Sequence, residues 1–378
     1  MTDHRLVRVR AELTAAGLAA LVVAGRSNVA WLTGFTGSAG TVVVTAATLT
    51  LVTDGRYTLQ AGTQAPGVGL VIDRRSAPAV AGVLAAALGG DTAGRAGRRV
   101  GVETHVVTVD DHAALGEAVS SVLPGAELVS AGHRLETLRR VKDDGELELL
   151  TRACAITVRA WEDLVGGAAG PLAGRTERAV VRALDGLLVE QGADGSAFAT
   201  IVAAGENSAG PHHGATDRPL TPGDLVVVDF GARVDGYNAD MTRTLFVAGP
   251  GAEQPAPWQR EVHALVARAN AAGRAAAVPG VRTAAVDAAA RDLIASAGHG
   301  ADFSHGLGHG IGREVHEEPL LAADATGSLS RGEVVTVEPG VYLRGRGGVR
   351  IEDTVLVRDG DQGPEVLTAT GRDLLVVA

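Results

Sequence analysis

The feature that most constrains the fold of this 378-residue chain is a set of four acidic residues and one histidine spread along its C-terminal half. The acids lie at the ends or on the polar faces of apolar segments that are typical of buried strands. The five residues are Asp229, Asp240, His309, Glu338 and Glu352. Buried carboxylates are costly unless a cation pairs with them. Four carboxylates and one imidazole suit two adjacent divalent ions, so the strands are expected to converge on a dinuclear metal site.

Local sequence predicts how the strands present these residues. The turn-rich segment 235–238 separates two apolar runs, so a hairpin would bring Asp229 and Asp240 face to face. Glycines on both sides of His309 would let the backbone come close to a metal or a ligand. Arg350 lies two positions before Glu352, and on one strand both side chains would point to the same face.

Composition excludes several classes of function. The net charge is −10 and no Lys/Arg cluster is present, which argues against nucleic acid as a partner. The single cysteine, Cys154, cannot form an intrachain disulfide, and the N-terminus lacks the apolar core of a signal sequence. We find no apolar stretch of the roughly 20 residues needed to span a bilayer. The sequence therefore predicts a cytoplasmic protein with no membrane partner.

Two domains fit the length and the pattern of the chain. Residues 1–135 alternate helical and strand patterns, which predicts an α/β domain. A long amphipathic helix is expected to begin near Asp144, and Thr176 could cap the next one. Residues 136–378 are expected to pack these and two further Ala-rich helices on a curved, mostly antiparallel sheet.

The segments that carry the five residues resemble the metal-site motifs of the "pita-bread" metallopeptidases, in the Xaa-Pro peptidase branch that contains aminopeptidase P and prolidase. These segments are 227–231, 240–244, 305–312, 336–340 and 349–353. Segments 31–40 and 53–57 are similar to the non-catalytic, creatinase-like domain of that branch. The resemblance implies an α/β N-terminal creatinase-like domain followed by an α+β pita-bread catalytic domain with a curved antiparallel sheet.

The resemblance also implies residue roles. The five ligands would bind two divalent ions, with Mn²⁺ expected first and Co²⁺ or Zn²⁺ as alternatives, because the ligand set admits several metals. Glu338 would also move a proton, and His212 and His316 would donate to the developing oxyanion and the leaving group. His305 and Arg350 would line the proline side. His213 is an alternative to His212.

The implied reaction is hydrolysis of the bond between an N-terminal residue and a following proline, as in an Xaa-Pro aminopeptidase. The alternative is an Xaa-Pro dipeptidase (prolidase), and the sequence does not fix peptide length. Methionine aminopeptidase shares the five ligands but does not resemble this chain in its N-terminal domain, His305 or Arg350. A binding protein on the same fold would have lost its ligands. Partners are expected to be peptides with proline second and a further copy of the chain, as a homodimer or homotetramer.

Overall fold

The computed structural model describes residues 3–89, 98–168, 170–359 and 363–378. Two compact units divide the chain, Met1–Leu138 and Arg139–Ala378. The predicted architecture of an α/β N-terminal part and a C-terminal part built on antiparallel sheets is confirmed, and each unit is described in turn.

The N-terminal unit is built around a six-stranded sheet in the order β4-β3-β2-β1-β5-β6. Its strands are β1 (Ala20–Val23), β2 (Gly40–Thr45), β3 (Leu49–Thr53), β4 (Gly69–Ile72), β5 (Arg98–Val102) and β6 (Ala126–Ser130). Its helices are α1 (Asp3–Ala15), α2 (Arg26–Thr33), α3 (Thr58–Gln64), α4 (Ser76–Leu88), α5 (Val109–Val122) and α6 (Arg134–Arg140), the last of which crosses the boundary between the units. Strands β1, β5 and β6 run parallel, whereas β1, β2 and β3 are antiparallel neighbours.

Both faces of this sheet are covered. All four residues of β1 are buried, and they alternate between two apolar clusters. Leu21 and Val23 pack with Trp31 of α2, while Val22 packs with Leu84 of α4. A short strand buried on both faces is a near-continuous apolar run, which is why the sequence here shows no alternation.

The C-terminal unit contains four long helices and fourteen strands among the described residues. The helices are α7 (Asp144–Val165), α8 (Glu177–Glu190), α9 (Pro257–Ala276) and α10 (Thr283–Ser296). The strands are β7 (Gly195–Ser196), β8 (Ile201–Ala204), β9 (Leu225–Phe230), β10 (Ala232–Val234), β11 (Tyr237–Asn238), β12 (Met241–Val247), β13 (Gly308–Gly310), β14 (Glu317–Leu321), β15 (Val334–Val337), β16 (Gly340–Leu343), β17 (Gly347–Arg350), β18 (Asp353–Leu356), β19 (Glu365–Val366) and β20 (Leu375–Val377).

The two helices nearest the start of this unit begin where the sequence predicts. The Asp143 side chain accepts from the backbone N–H of Glu146, and the Glu146 side chain accepts from Asp143 in return, so a capping box starts α7. Thr176 caps α8 by accepting from the backbone N–H of Ala179. Within the described residues, no helix is both long and apolar enough to cross a bilayer.

Hydrogen bonding divides the predicted sheet into separate sheets, of which two carry most of the site. One has the order β20-β12-β9-β8 and the other β14-β13-β15-β18-β19. The prediction of one continuous strand through Arg350 and Glu352 is wrong. Strand β17 ends at Arg350 after pairing with β16, and β18 starts at Asp353 to pair with β15, so Glu352 lies at the break between two partners.

Candidate metal centre

The two aspartates come from neighbouring antiparallel strands. Asp229 lies near the end of β9, and Asp240 immediately precedes β12. The two strands pair antiparallel as predicted, but the register sets Thr242, and not Asp240, opposite Asp229. The Asp240 residue is only 5% exposed. Folding therefore places two acids side by side with little water to solvate them.

His309 is the middle residue of β13, and its flanking glycines have a structural reason. A Cβ added at Gly308 would lie 2.0 Å from the carbonyl oxygen of Thr336, and one at Gly310 would lie 2.2 Å from that of Glu318. The sequence predicted that these glycines let the backbone approach a metal or a ligand. In the structure they instead allow close packing against the backbones of β15 and β14. His309 Nδ1 is 3.0 Å from the Gly310 carbonyl oxygen, which can only accept, so Nδ1 carries a proton and Nε2 faces the acids.

Glu338 and Glu352 complete the acidic set. Glu338 directly follows β15, and its Oε1 is 3.3 Å from His309 Nε2. The Glu352 residue is 1% exposed, and its Oε2 accepts a hydrogen bond of 2.7 Å from Thr242 Oγ1. Ligand atoms of Asp240, His309 and Glu352 all lie within 4.8 Å of one another.

All of the residues predicted for the site line one cavity of about 400 Å³. These residues are His212, Asp229, Asp240, His305, His309, His316, Glu338, Arg350 and Glu352. Apolar side chains cover other parts of the wall, among them Phe198, Ile201, Val315 and Leu320. The cavity therefore combines a charged floor with apolar surface on which a substrate side chain could pack.

The electrostatics of the acids favour the binding of positive charge. Burial, together with the charges of neighbouring carboxylates, raises the pKa of Asp240 and of Glu352 well above the usual range. One oxygen each of Asp229, Asp240 and Glu352 is buried and accepts no hydrogen bond from the described residues. A buried carboxylate oxygen without a donor is costly. Divalent cations would satisfy all three oxygens, so the residues fit the metal site that the sequence predicts.

The pKa values of His309 and Glu338 also favour the binding of a cation. Burial opposes protonation of His309, but its hydrogen bond to Glu338 outweighs burial and raises the pKa of the imidazole. Burial likewise opposes ionisation of Glu338, yet the hydrogen bond and charge of His309 lower the pKa of its carboxyl to about 2. A cation between Nε2 and the carboxylates would replace the proton that His309 otherwise holds.

Arg350 is buried behind the acids and donates to several groups at once. Its Nη2 donates to Asp229 Oδ2 over 2.7 Å, and its Nε donates to Thr242 Oγ1 over 3.1 Å. Its Nη1 donates to the Pro211 carbonyl oxygen over 3.2 Å and to Tyr342 Oη over 2.9 Å. The guanidinium thus fixes a predicted metal ligand, in addition to lining the cavity.

Tyr342 connects Arg350 to His305, a role that no sequence pattern predicts. The Tyr342 hydroxyl is 2.8 Å from His305 Nε2, and His305 Nδ1 is 2.8 Å from the Gly306 carbonyl oxygen. Burial lowers the pKa of His305, so the ring is neutral near pH 7, with its proton on Nδ1. The hydroxyl must then donate to Nε2. The order of donation is Arg350 to Tyr342 to His305 to Gly306.

The two adjacent histidines of the sequence have different surroundings. His212 lines the cavity, whereas His213 Nε2 is 2.9 Å from Glu177 Oε2, away from the cavity lining. His316 also lines the cavity, and its ring centroid is 4.4 Å from that of His309. Burial and the neighbouring charge of His309 lower the pKa of His316. Of the two alternatives, His212 is the one with access to the site.

Glu177 holds the segment that carries His212. Its carboxylate is fully buried and accepts five hydrogen bonds of 2.7 to 2.9 Å. The donors are the backbone N–H groups of Ala204 and Thr216 and the side chains of Asn207, His213 and Thr216. Both ends of the segment 204–216 are thereby tied to the start of α8. This role could not be predicted from the sequence, because Glu177 resembles any acid in the first turn of a helix.

Comparison with known families agrees with the resemblance that the motifs carry. Residues 148–359 match metallopeptidase family M24, and residues 5–141 match the creatinase/prolidase N-terminal domain. An uncharacterised peptidase of Bacillus subtilis (strain 168) is 36% identical over 362 residues, which cover 96% of each protein.

Solved structures show the same likeness over the whole chain. An Xaa-Pro dipeptidase from Bacillus anthracis matches with a TM-score of 0.89 and 33% identity, covering 99% of both chains. An X-Pro aminopeptidase from Thermotoga maritima MSB8 matches with a TM-score of 0.85 and 32% identity, covering 99% of this chain and 100% of that one. The predicted family is confirmed.

Proposed function

The chain belongs to metallopeptidase family M24, and from this premise we propose that it hydrolyses the peptide bond between an N-terminal residue and a following proline. The observation that supports this proposal most strongly is the single cavity lined by all of the predicted ligands and histidines, with three buried carboxylate oxygens lacking donors. An arrangement that only stabilised the fold would pair those oxygens with donors.

We assign Asp229, Asp240, His309, Glu338 and Glu352 as ligands of two divalent ions. Five ligands, four of them carboxylates, fit oxygen-preferring metals, so Mn²⁺ is the first choice, with Co²⁺ or Zn²⁺ as alternatives. When bound, the ions would supply Lewis acidity and a nucleophilic water near neutral pH. The ligand carboxylates carry four negative charges, which would balance the charge of both ions.

The remaining residues hold the substrate and move protons. The bond before proline is a tertiary amide whose nitrogen carries no hydrogen, so the nitrogen must gain a proton as the bond breaks. Glu338 borders the cavity with 17% of its side chain exposed, and it can take a proton from water and return it to that nitrogen.

The histidines serve different parts of the substrate. His212 and His316 stand in the wall and can donate N–H groups to the oxygen of the scissile carbonyl as negative charge develops there. His305 is held in one orientation by Tyr342 and Gly306. Its ring can therefore form a rigid part of the cavity wall that contacts the proline of the substrate. Phe198, Ile201 and Leu320 supply apolar area for the substrate.

Peptide length distinguishes two forms of this activity. We favour an aminopeptidase, the activity that the name of the Thermotoga maritima structure states for that protein. We expect this form of the activity to act on longer peptides. Dipeptidase activity is the second candidate, because the Bacillus anthracis structure bears that name and has a slightly higher TM-score. A homodimer or homotetramer in the cytoplasm remains part of the proposal.

A peptide panel tests the proposal. Protein loaded with Mn²⁺ is incubated with Ala-Pro, Ala-Pro-Ala-Ala, Met-Ala-Ala and Ala-Ala-Ala, and the released amino acids are quantified. Cleavage of the proline peptides alone supports the proposal, and preference for the tetrapeptide supports the aminopeptidase form. Cleavage of Ala-Pro alone would identify a dipeptidase. Release of Met alone, or no release at all, would refute the proposal.

A further inference from the structure

The N-terminal unit contains a second group of metal-ligating side chains, apart from the site above. Ligand atoms of His105, His133 and Glu136 all lie within 4.8 Å of one another. His105 Nε2 is 3.1 Å from Glu136 Oε1, and the centroids of the two imidazole rings are 4.1 Å apart. We propose that these three side chains bind one divalent transition-metal ion.

Sheet topology explains why residues so far apart in sequence meet here. His105 follows β5, whereas His133 and Glu136 follow β6. These strands are parallel neighbours, so their carboxyl ends lie at the same edge of the sheet. Ligand sites in open α/β sheets form at that edge, where the loops leave the strands. The histidines are thus at the surface, where an ion can reach them.

The carboxylate of the group is held in place before any ion binds. Asn28 Nδ2 donates to Glu136 Oε1 and to Glu103 Oε1, each over 2.6 Å. Glu103 Oε2 accepts from the backbone N–H groups of Ala24 and Gly25, both over 2.7 Å. The hydrogen bond to Glu103 therefore fixes the Asn28 side chain, and the hydrogen bond from Asn28 orients Glu136. Fixed ligands lose less conformational entropy when they bind a metal.

One oxygen of the same carboxylate has no donor. Glu136 Oε2 is buried and accepts no hydrogen bond from the described residues. A carboxylate oxygen in this position has lone pairs available to a cation. An ion would satisfy an oxygen that otherwise bears the full cost of burial.

The ligand types of this group favour ions other than Mn²⁺, which is the first choice for the catalytic centre. Two imidazoles and one carboxylate suit Zn²⁺, Ni²⁺, Co²⁺ or Cu²⁺, and three protein ligands leave a further position for water. Mn²⁺ prefers sites richer in oxygen, such as the proposed ligand set of the C-terminal unit. The second site can therefore be recognised, in protein already saturated with Mn²⁺, as Zn²⁺ binding that depends on His105 and His133.

The test uses full-length protein saturated with Mn²⁺ and then titrated with Zn²⁺ by calorimetry, alongside His105→Ala, His133→Ala and the double variant. His112→Ala, which removes a histidine of α5 outside the group, is the matched control. Crystals of the Zn²⁺-treated protein are measured at the zinc absorption edge to locate bound ions. Melting temperatures without metal verify that the variants fold, as expected for substitutions of surface side chains.

We expect the wild type and His112→Ala to bind one more Zn²⁺ per chain than the double variant. Each single variant should weaken binding at this site at least tenfold, and an anomalous peak should lie among the three side chains. Peptidase activity with Mn²⁺ should stay within twofold of wild type, because the catalytic ligands are untouched. Equal Zn²⁺ stoichiometry in all variants, or no peak at this position, would overturn the proposal. Neither readout depends on the proposed peptidase activity.

Discussion

Arg350 donates a 2.7 Å hydrogen bond from Nη2 to Oδ2 of Asp229, and the other oxygen of that carboxylate is buried without a donor. The guanidinium thus occupies one side of a proposed metal ligand and leaves the second oxygen available. It also neutralises part of the negative charge that folding concentrates here. Arg350 therefore positions a ligand, a role beyond the contact with the proline side that the sequence predicted.

Replacing Arg350 with lysine should damage the site although the charge is kept. An ammonium cannot reproduce the fork that reaches Asp229, Thr242 and Tyr342 together. Loss of charge-assisted hydrogen bonds worth roughly 1.5–3 kcal/mol should lower kcat/KM by about 10- to 100-fold. Affinity for Mn²⁺ should weaken as well, since Asp229 is no longer held. Arg344→Lys, in the exposed turn between β16 and β17, is the control. Unchanged Mn²⁺ affinity and kcat/KM in Arg350→Lys would contradict this account.

Tyr342→Phe should lower kcat/KM by about tenfold while leaving two metal ions per chain. The variant keeps the ring but removes the hydroxyl that donates to His305 Nε2, so the imidazole can rotate. A double-mutant cycle with His305→Ala tests whether the hydroxyl acts through the histidine. We expect the double variant to be hardly worse than His305→Ala alone. Strictly additive losses would show that the two groups work independently.

Asp240→Asn should stabilise the metal-free protein and abolish activity. The change removes a negative charge from a buried cluster whose members raise one another's pKa. A carboxyl with a raised pKa in the folded state costs stability as the pH rises, so the gain should be larger at pH 8 than at pH 5. A gain of about 1 kcal/mol corresponds to roughly 2–4 °C in the melting temperature.

With Mn²⁺ present the wild type should instead be more stable than Asp240→Asn, because only the wild type gains the full free energy of metal binding. Thermal melting with chelator and with Mn²⁺, at both pH values, provides the measurement. A metal-free Asp240→Asn protein that melts below the metal-free wild type would refute the view that these acids repel one another.

Glu177→Gln should change both stability and activity. Five hydrogen bonds lower the pKa of Glu177 to about 2 from an ordinary value of 4.5, in spite of its burial. The shift corresponds to roughly 3 kcal/mol of stability, which is fully present above pH 4.5 and is lost as the pH falls toward 2. Urea unfolding from pH 7 to pH 3 should show this dependence in the wild type and much less of it in the variant.

The same variant should lower kcat more than it changes Mn²⁺ content, since the segment 204–216 would hold His212 less firmly. Asp217→Asn, at a carboxylate that is 77% exposed and belongs to a surface ion pair, is the matched control. A variant with wild-type kcat and the wild-type dependence of stability on pH would rule out this positioning role.

The parts of the fold that could be predicted are those that local sequence determines. Capping residues define where α7 and α8 begin, and alternation of helices and strands indicated the α/β layout of the N-terminal unit. The break between β17 and β18 could not be predicted, because 348–355 alternates as one strand would. Only the competing partners β16 and β15 separate Arg350 from Glu352.

The residues of the candidate site also fall into those that could be predicted from the sequence and those that could not. Acids after apolar strands are conspicuous, since an uncompensated buried carboxylate is costly. Tyr342 and Glu177 gave no comparable signal, because a tyrosine on a strand and an acid in a helical first turn are ordinary. Their contacts with His305 and with the segment 204–216 depend on tertiary structure alone. The choice between His212 and His213 likewise required the fold, which ties His213 to Glu177.

The most direct test of the central claim is to strip the protein of metal and restore Mn²⁺ stepwise, while bound Mn²⁺ and cleavage of Ala-Pro-Ala-Ala are both recorded. We predict no cleavage without metal, full activity when about two ions are bound per chain as the paired ligand set requires, and no recovery in Asp240→Asn. Cleavage by the metal-free protein, or full activity in Asp240→Asn, would contradict the account.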